Sequence, residues 1–523
     1  MSQEPPSADP GVGWEQQPGP GWAPPAPELS HDEEWQRLDP RMLLVHPVRE
    51  VLRFLPVLIG VFVAGRSTGG GLWQVTAVVV PVGLGLLRYL TTTFRIHAGR
   101  VELRRGLVNR HVLSTPVERV RTVDLTSSLI HRVLGLTTVR IGTGTASSGG
   151  DDQLDLDGLP TARAQALRAE LLRIAPTGEA TGVEHPAAPL APVDGPPIVS
   201  FDLGWLRFAP FTSGGLVIAG AVLGVLTQVG DDLGLFRRLD PESLVRGDRG
   251  PTVALIVATV IVVLALISLF AVLGYLVTNW GFALTRPAGG GGAAWQVRRG
   301  LLTTRETTLD VDRVAGVVVG EQAGLRLARG RRLAATVTGL DSSQQTSSSL
   351  TPPAPTAVVL GAAAQVLGTA APVRGPLTPH GPAAVRRRWT RALVPAVVLA
   401  GGAVVAVVLG APVWVLAGLA ALPAAVLLAV DRCRSLGHAL VGGCVVARSG
   451  SLTRKRAVLG VDHVIGWNLR ATWFQRRVGL TTLVATTAGG SQSVTLLDLP
   501  QARAVELAGR AIPELVDQFL VRD

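Results

Sequence analysis

The residue types that could carry out chemistry are scattered rather than gathered. No G-x-x-x-x-G-K-[ST] phosphate loop, H-E-x-x-H, C-x-x-C or G-x-S-x-G occurs in the 523 residues. The nine histidines fall at no metal-ligand spacing, and two cysteines, Cys433 and Cys444, exclude a disulfide framework. The glycine run at 289–292 precedes neither a lysine nor a helix, so it reads as a hairpin loop rather than a phosphate cradle. Cys433 lies between Arg432 and Arg434 and reads as a juxtamembrane thiol without a role. No enzyme and no cofactor are expected.

The one chemical group that recurs is the guanidinium. Lys455 is the single lysine among 49 basic residues, and the formal charge is +11. Residues 1–50 carry nine acids and three arginines, so the rest of the chain holds the excess. Residues 95–140 have nine arginines against three acids; residues 286–332 have nine against four; residues 432–477 have nine basic residues against one acid. Guanidinium forks suit phosphate, and near an anionic leaflet each basic residue contributes roughly 1 kcal/mol. The candidate anion-, lipid- or partner-binding residues are Arg105, Arg110, Arg119, Arg299, Arg305, Arg313, Arg448, Arg454, Lys455 and His463. The plainer alternative is a basic bias that only sets membrane topology. Nucleic acid is not expected, because few aromatics interleave with the arginines: Trp295, Trp467, Trp473 and Phe474.

The elements that must position these residues are mostly apolar. The chain is 47% hydrophobic and 17% charged, with mean hydropathy +0.36. Residues 1–40 are acidic and rich in Pro and Gly, without hydrophobic period, and read as a disordered tail with no signal-peptide pattern. Apolar runs then come in pairs: 52–65 with 72–87, 208–226 with 253–277, and 393–409 with 413–430. A spanning helix needs about 20 apolar residues. The run at 52–65 is short and carries Arg53 and Pro56, which leaves a buried or interfacial helix open there. Arginines cluster on one side of the pairs, as Arg386, Arg387, Arg388, Arg391, Arg432 and Arg434. The positive-inside rule then places both termini and the basic segments in the cytoplasm.

After each pair the same landmarks return. Arg104, Arg105, Gly106 and Leu107 lead to Val117, Glu118, Arg119 and Val120; Arg298, Arg299, Gly300 and Leu301 lead to Val311, Asp312, Arg313 and Val314. Arg448, Ser449, Gly450, Ser451 and Leu452 lead to Val461, Asp462, His463 and Val464. The step from the glycine to Arg119, Arg313 or His463 is thirteen residues each time. Leu134-Gly135-Leu136 returns as Val478-Gly479-Leu480, and more loosely as Arg329-Gly330-Arg331. Each copy ends on a proline that opens an Ala-rich helix: Pro160, Pro355 and Pro500. Leu167, Leu171 and Ile174 give the first of these helices an apolar face. Alternation in 94–97 and 101–104 reads as half-buried strand.

This triple pattern resembles the bacterial PH-like membrane proteins of the YdbT type over about residues 45–520. The resemblance implies six membrane spans in three helical hairpins plus three α+β PH-like split β-barrel domains, each closed by a C-terminal helix. The expected layout is a tail at 1–40, helical pairs at 45–90, 203–279 and 389–431, PH-like domains at 91–176, 280–369 and 432–520, and Pro-rich linkers at 177–198 and 370–385. The expected role is that of an interaction or scaffold protein of the cell membrane, whose cytoplasmic domains dock on anionic lipid and bind a membrane or cytoplasmic protein. The alternative is a transporter or export component using the six helices as a pathway. Nearly no ionisable residue lies inside the runs, which speaks against that alternative.

Overall fold

The computed structural model describes residues 32–43, 91–97, 100–105, 111–116, 122–142, 154–173, 197–212, 249–286, 294–338, 348–488 and 493–517, with a few isolated positions between them. The apolar runs at 52–65 and 72–87 therefore lie outside the described residues.

Among the described residues the strands form four antiparallel sheets. The first is a meander of β1 (Asp32–Arg37), β2 (Thr93–His97), β3 (Arg100–Arg105) and β4 (His111–Pro116). Next come β5 (Thr122–Ser128), a short helix α1 (Leu129–Val133), β6 (Leu136–Gly142), β7 (Leu154–Pro160) and the helix α2 (Thr161–Arg173). The order then repeats. β8 (Val199–Ser200), β9 (Ala283–Thr285), β10 (Ala294–Arg299) and β11 (Thr303–Asp310) make a second meander, interrupted by the long helix α3 (Arg249–Asn279). β12 (Val314–Gln322), α4 (Ala323–Leu327), β13 (Gly330–Val337), β14 (Ser349–Pro355) and α5 (Thr356–Leu367) follow. A one-turn helix α6 (Ala371–Arg374) and two long helices, α7 (Pro382–Val408) and α8 (Ala421–Ser435), lead into β15 (Gly437–Val441), β16 (Cys444–Gly450) and β17 (Thr453–Gly460). Then come β18 (Val464–Arg470), α9 (Trp473–Arg476), β19 (Leu480–Thr487), β20 (Val494–Pro500), α10 (Gln501–Ala511) and a short helix α11 (Pro513–Asp517).

The sheets join one repeat to the next. β5 pairs with β11 and β12 with β17, so the orders run β7-β6-β5-β11-β10-β9-β8 and β14-β13-β12-β17-β16-β15. Each junction hides a strand edge that would otherwise be open to wrong partners. The cores follow the same logic. Phe94, Leu103, Val123, Val139 and Leu156 pack under α2, whose Leu167 and Leu171 are buried. Full burial of such a leucine contributes about 1.5–3 kcal/mol. The expected apolar face of α2 is therefore present, although Ile174 lies outside the described residues. A second core runs from Trp205, Phe208 and Trp295 to Val446 and Val458 across the second junction.

Among the described residues, three helical stretches have the length and composition to cross a membrane: Val257–Asn279, Pro382–Val408 and Val413–Ser435. At 1.5 Å per residue, 23 residues extend about 35 Å, against about 30 Å of hydrocarbon. The last two are joined by a turn at Gly410 (φ 97°), where Ala411 N donates to Ala406 O at 2.9 Å.

Several expectations change. The tail was expected to be disordered through residue 40, but β1 lies within it and pairs with β2. Trp35 is the reason: Arg95 and Arg104 lie over its ring at 4.6 and 4.1 Å. The linker at 370–385 is built into the fold, since Thr378 and His438 exchange backbone hydrogen bonds and buried Arg456 donates to Pro372 O and Gly375 O at 3.0 and 2.7 Å. The second pair does not begin at 208. Residues Leu203–Phe211 form a 3-10 helix capped by Asp202, and Phe208 is buried in the second core. Pro355 and Pro500 are N-caps rather than first-turn residues. Arg329, not Gly330, takes the left-handed turn position (φ 60°) held elsewhere by Gly135 and Gly479. Gly330 is small because Phe208 packs against it.

Candidate membrane-facing site

Two of the recurring glycine turns sit against the ends of long helices. Gly300 N donates to Trp280 O and Leu301 N to Val277 O, each at 2.9 Å, which pairs carbonyls that the end of α3 leaves open. At the end of α8, Ser435 Oγ donates to Gly450 O, and Arg448 Nη2 donates to Arg434 O at 3.1 Å. That places a cation at the negative end of a helix. Gly300 and Gly450 have φ 112° and 111°, and a Cβ at either would strike the carbonyl oxygen of Thr303 or Thr453. Only glycine fits such a turn without strain. The leucines beyond, Leu302 and Leu452, point outward and are exposed.

Each of these turns lies beside a short helix of the preceding repeat. Arg132 of α1 donates to Leu301 O at 3.0 Å, and Ala323 N of α4 to Leu452 O at 2.6 Å. These helices also expose apolar side chains: Leu129 and Val133 on α1, Leu327 on α4. The third short helix, α9, is the most apolar at its tip. Trp473 is 53% and Phe474 66% exposed, with ring centroids 5.0 Å apart, and the Arg477 guanidinium lies 4.4 Å over the Trp473 ring. Arg470, Arg476 and Arg477 beside them are exposed. Aromatic rings rimmed by cations are the residue set favoured at a membrane–water boundary.

What fixes α9 is Asp498. Its carboxylate is 2% exposed, forms ion pairs with Arg387 Nε and Arg388 Nη2 at 2.9 Å each, and accepts a hydrogen bond from Gln475 Nε2 at 2.8 Å. Arg387 and Arg388 stand on the first turns of α7, and Gln475 belongs to the capping box that Thr472 forms at the start of α9. Arg387 Nη2 also reaches Thr472 Oγ1 at 3.4 Å. The exposed rings are thus tied to the start of a membrane-length helix. Asp498 itself sits at φ 55°, a left-handed position that Asp tolerates better than most residues.

The basic residues expected to bind a ligand are not brought into one patch. Arg105 is in β3 by its backbone, and its side chain lies outside the described residues, as do Arg110 and Arg119. Arg299 and Arg305 are cross-strand partners on β10 and β11 within one repeat, and burial holds the Arg299 guanidinium below its ordinary range. Arg313 donates to Val120 O and pairs with Asp310 at 3.4 Å. Arg454 shares Asp431 with Arg326, whose Nη1 is 2.9 Å from that carboxylate; these three residues lock the second junction to the end of α8. Arg448 is lowered by burial in its capping position. Lys455 is exposed on β17 and His463 is half-buried. The sequence reading missed Asp498, Arg387, Arg388 and Gln475 as a cluster. The run Arg386-Arg387-Arg388 was visible, but its acidic partner lies more than a hundred residues away.

Among the described residues no three His, Cys, Asp or Glu side chains gather to hold a metal ion. The bacterial PH domain family matches residues 51–175 and 391–510. No curated protein and no solved structure matches. Each matched stretch begins in an apolar run and ends at the closing helix, α2 or α10. Over these two regions the chain is similar to bacterial PH domains.

Proposed function

We propose that this is a multi-pass membrane protein whose three PH-like units rest on the cytoplasmic leaflet and serve as a scaffold there, touching anionic lipid and a protein partner. The observation that carries the reading is the row of exposed apolar and cationic tips beside the helix ends, most developed at Trp473, Phe474 and Arg477. Exposed leucines insert shallowly among headgroups, aromatic rings sit at the boundary, and each arginine near an anionic leaflet adds roughly 1 kcal/mol.

Strand pairing supports the paired spans. β8 lies before α3 and β9 after it, yet they are neighbours. Thr378 precedes α7 and His438 follows α8, and they too are bonded. β1 and β2 flank the first apolar pair in the same way. A chain that returns to the strand it left crosses a membrane an even number of times. If α3 spans, a second crossing falls between residues 201 and 248, which fits six spans in three pairs with every PH-like unit on one side.

The test places an environment-sensitive fluorophore at Phe474→Cys in the full chain carrying Cys433→Ser and Cys444→Ala. In nanodiscs with anionic lipid, a nitroxide on the lipid headgroup should quench it strongly and a water-soluble quencher weakly. The opposite ranking removes the docking role.

A further inference from the structure

The two junctions inside the chain are the same interface used twice, and each end of the molecule holds one unused half of it. At the first junction Thr122 of β5 faces Leu309 of β11; at the second Gly316 of β12 faces Leu459 of β17. These are equivalent positions in the two repeats, counted from Val120 and Val314 on one side and from Gly300 and Gly450 on the other. The register is therefore identical. In the same series β18 corresponds to β5 and β12, and β4 to β11 and β17. β18 is the outer strand of β18-β19-β20, and β4 the outer strand of β1-β2-β3-β4. Among the described residues nothing pairs with either outer edge.

The side chains on those edges are exposed where their counterparts are covered. Leu469 of β18 is 45% exposed, whereas Leu125 and Val319 in the same position, on strands that pair with the adjoining repeat, are 6% and 0% exposed. Ile465 is exposed where Ala315 is buried. On β4, Ser114 is exposed where Thr308 and Val458 are buried, and Val112 is exposed where Arg456 is buried. A long edge with exposed apolar residues and no blocking lysine or proline along β18 is a template for another strand.

We propose that β18 of one molecule pairs antiparallel with β4 of a second copy of this chain, in the register of the internal junctions. Gly466 then faces Thr115 and Leu469 faces Val112, so the two exposed apolar side chains cover each other. The pairing is head to tail. It leaves a free β4 at one end and a free β18 at the other, and it grows into a ring or an open row. The inference rests on strand register and does not depend on the membrane reading.

Two differently tagged full-length chains, both carrying Cys433→Ser and Cys444→Ala, test it: one carries Val112→Cys and the other Leu469→Cys. Directly opposed antiparallel residues lie within the Cα separation a disulfide spans. Oxidation in membranes should give a mixed disulfide-linked dimer, at least tenfold more than either chain alone gives. No mixed dimer, or equal yields from single-variant chains, overturns the proposal. In parallel, tagged and untagged copies of the unaltered chain should co-purify in mild detergent, and Leu469→Lys should abolish this. Purification of the unaltered chain as single copies also overturns it.

Discussion

Removing the Asp498 carboxylate should loosen the β18–β20 sheet and α9 from the start of α7. Asp498 is buried, and it is approached by Arg387 and Arg388, which are 12% and 13% exposed, and by Gln475. Taking away one member of a buried ion pair costs about 3–5 kcal/mol, because the remaining charge stays desolvated. Losing the Gln475 bond adds about 1 kcal/mol. Asp498→Ala should therefore cost about 4–6 kcal/mol. The β12–β17 pairing joins this region to the preceding repeat, and for a cooperative body of about 150–250 residues each kcal/mol moves Tm by about 2–4 °C, so the melting of purified protein should fall by roughly 10–20 °C. Asp498→Asn keeps the shape, tolerates the left-handed backbone and still accepts from Gln475, so its loss should be nearer 3 kcal/mol. The decisive variant adds Arg388→Met to Asp498→Asn. If the penalty is an orphaned charge, stability should partly return. Asp498→Asn melting within about 1 °C of the parent, or a further loss on adding Arg388→Met, would refute the electrostatic argument.

Gly300→Ala and Gly450→Ala should each destabilise by about 2 kcal/mol or more, since alanine at positive φ costs about 1–2 kcal/mol before the clash with the facing carbonyl; thermal melts of both, with Gly361→Ala in open helix as the comparison, check this. His380 is buried, bonded through Nδ1 to Leu497 O at 2.8 Å, and its pKa is pushed down to about 4 by burial and then by neighbouring His438. A neutral buried imidazole stabilises fully above the ordinary value of 6.5 and loses that contribution as pH falls from about 6.5 toward 4. The span corresponds to about 3 kcal/mol. Tm measured from pH 7.5 to 4.5 should drop more steeply for the parent than for His380→Phe, and parallel curves would contradict it.

What was legible in the sequence was local. The glycine at 300 and 450, the strand that follows, and the proline before each closing helix all depend on neighbours in the chain, and each took the expected form with small shifts. The middle copy hid its turn because Arg329 occupies the left-handed position and the nearby glycine serves Phe208. β1 was masked by its acidic, Pro-rich surroundings, since Asp32–Arg37 carries one aromatic and no alternating apolar set. The arginines recur in the sequence at fixed steps. Their chemistry depends on distant partners: Val120 O for Arg313, Asp431 for Arg454, the end of α8 for Arg448. Repetition in sequence reported repetition of the junctions and helix caps.

The most direct test of the account is the sidedness of the PH-like units. Single cysteines at Gln165→Cys on α2, Glu506→Cys on α10 and Asp240→Cys between the second apolar pair, each in the Cys433→Ser, Cys444→Ala chain, should be treated with a membrane-impermeant maleimide on intact cells. The account predicts labelling of Asp240→Cys alone, with the other two reacting only after lysis. Labelling of either Gln165→Cys or Glu506→Cys from outside would contradict it.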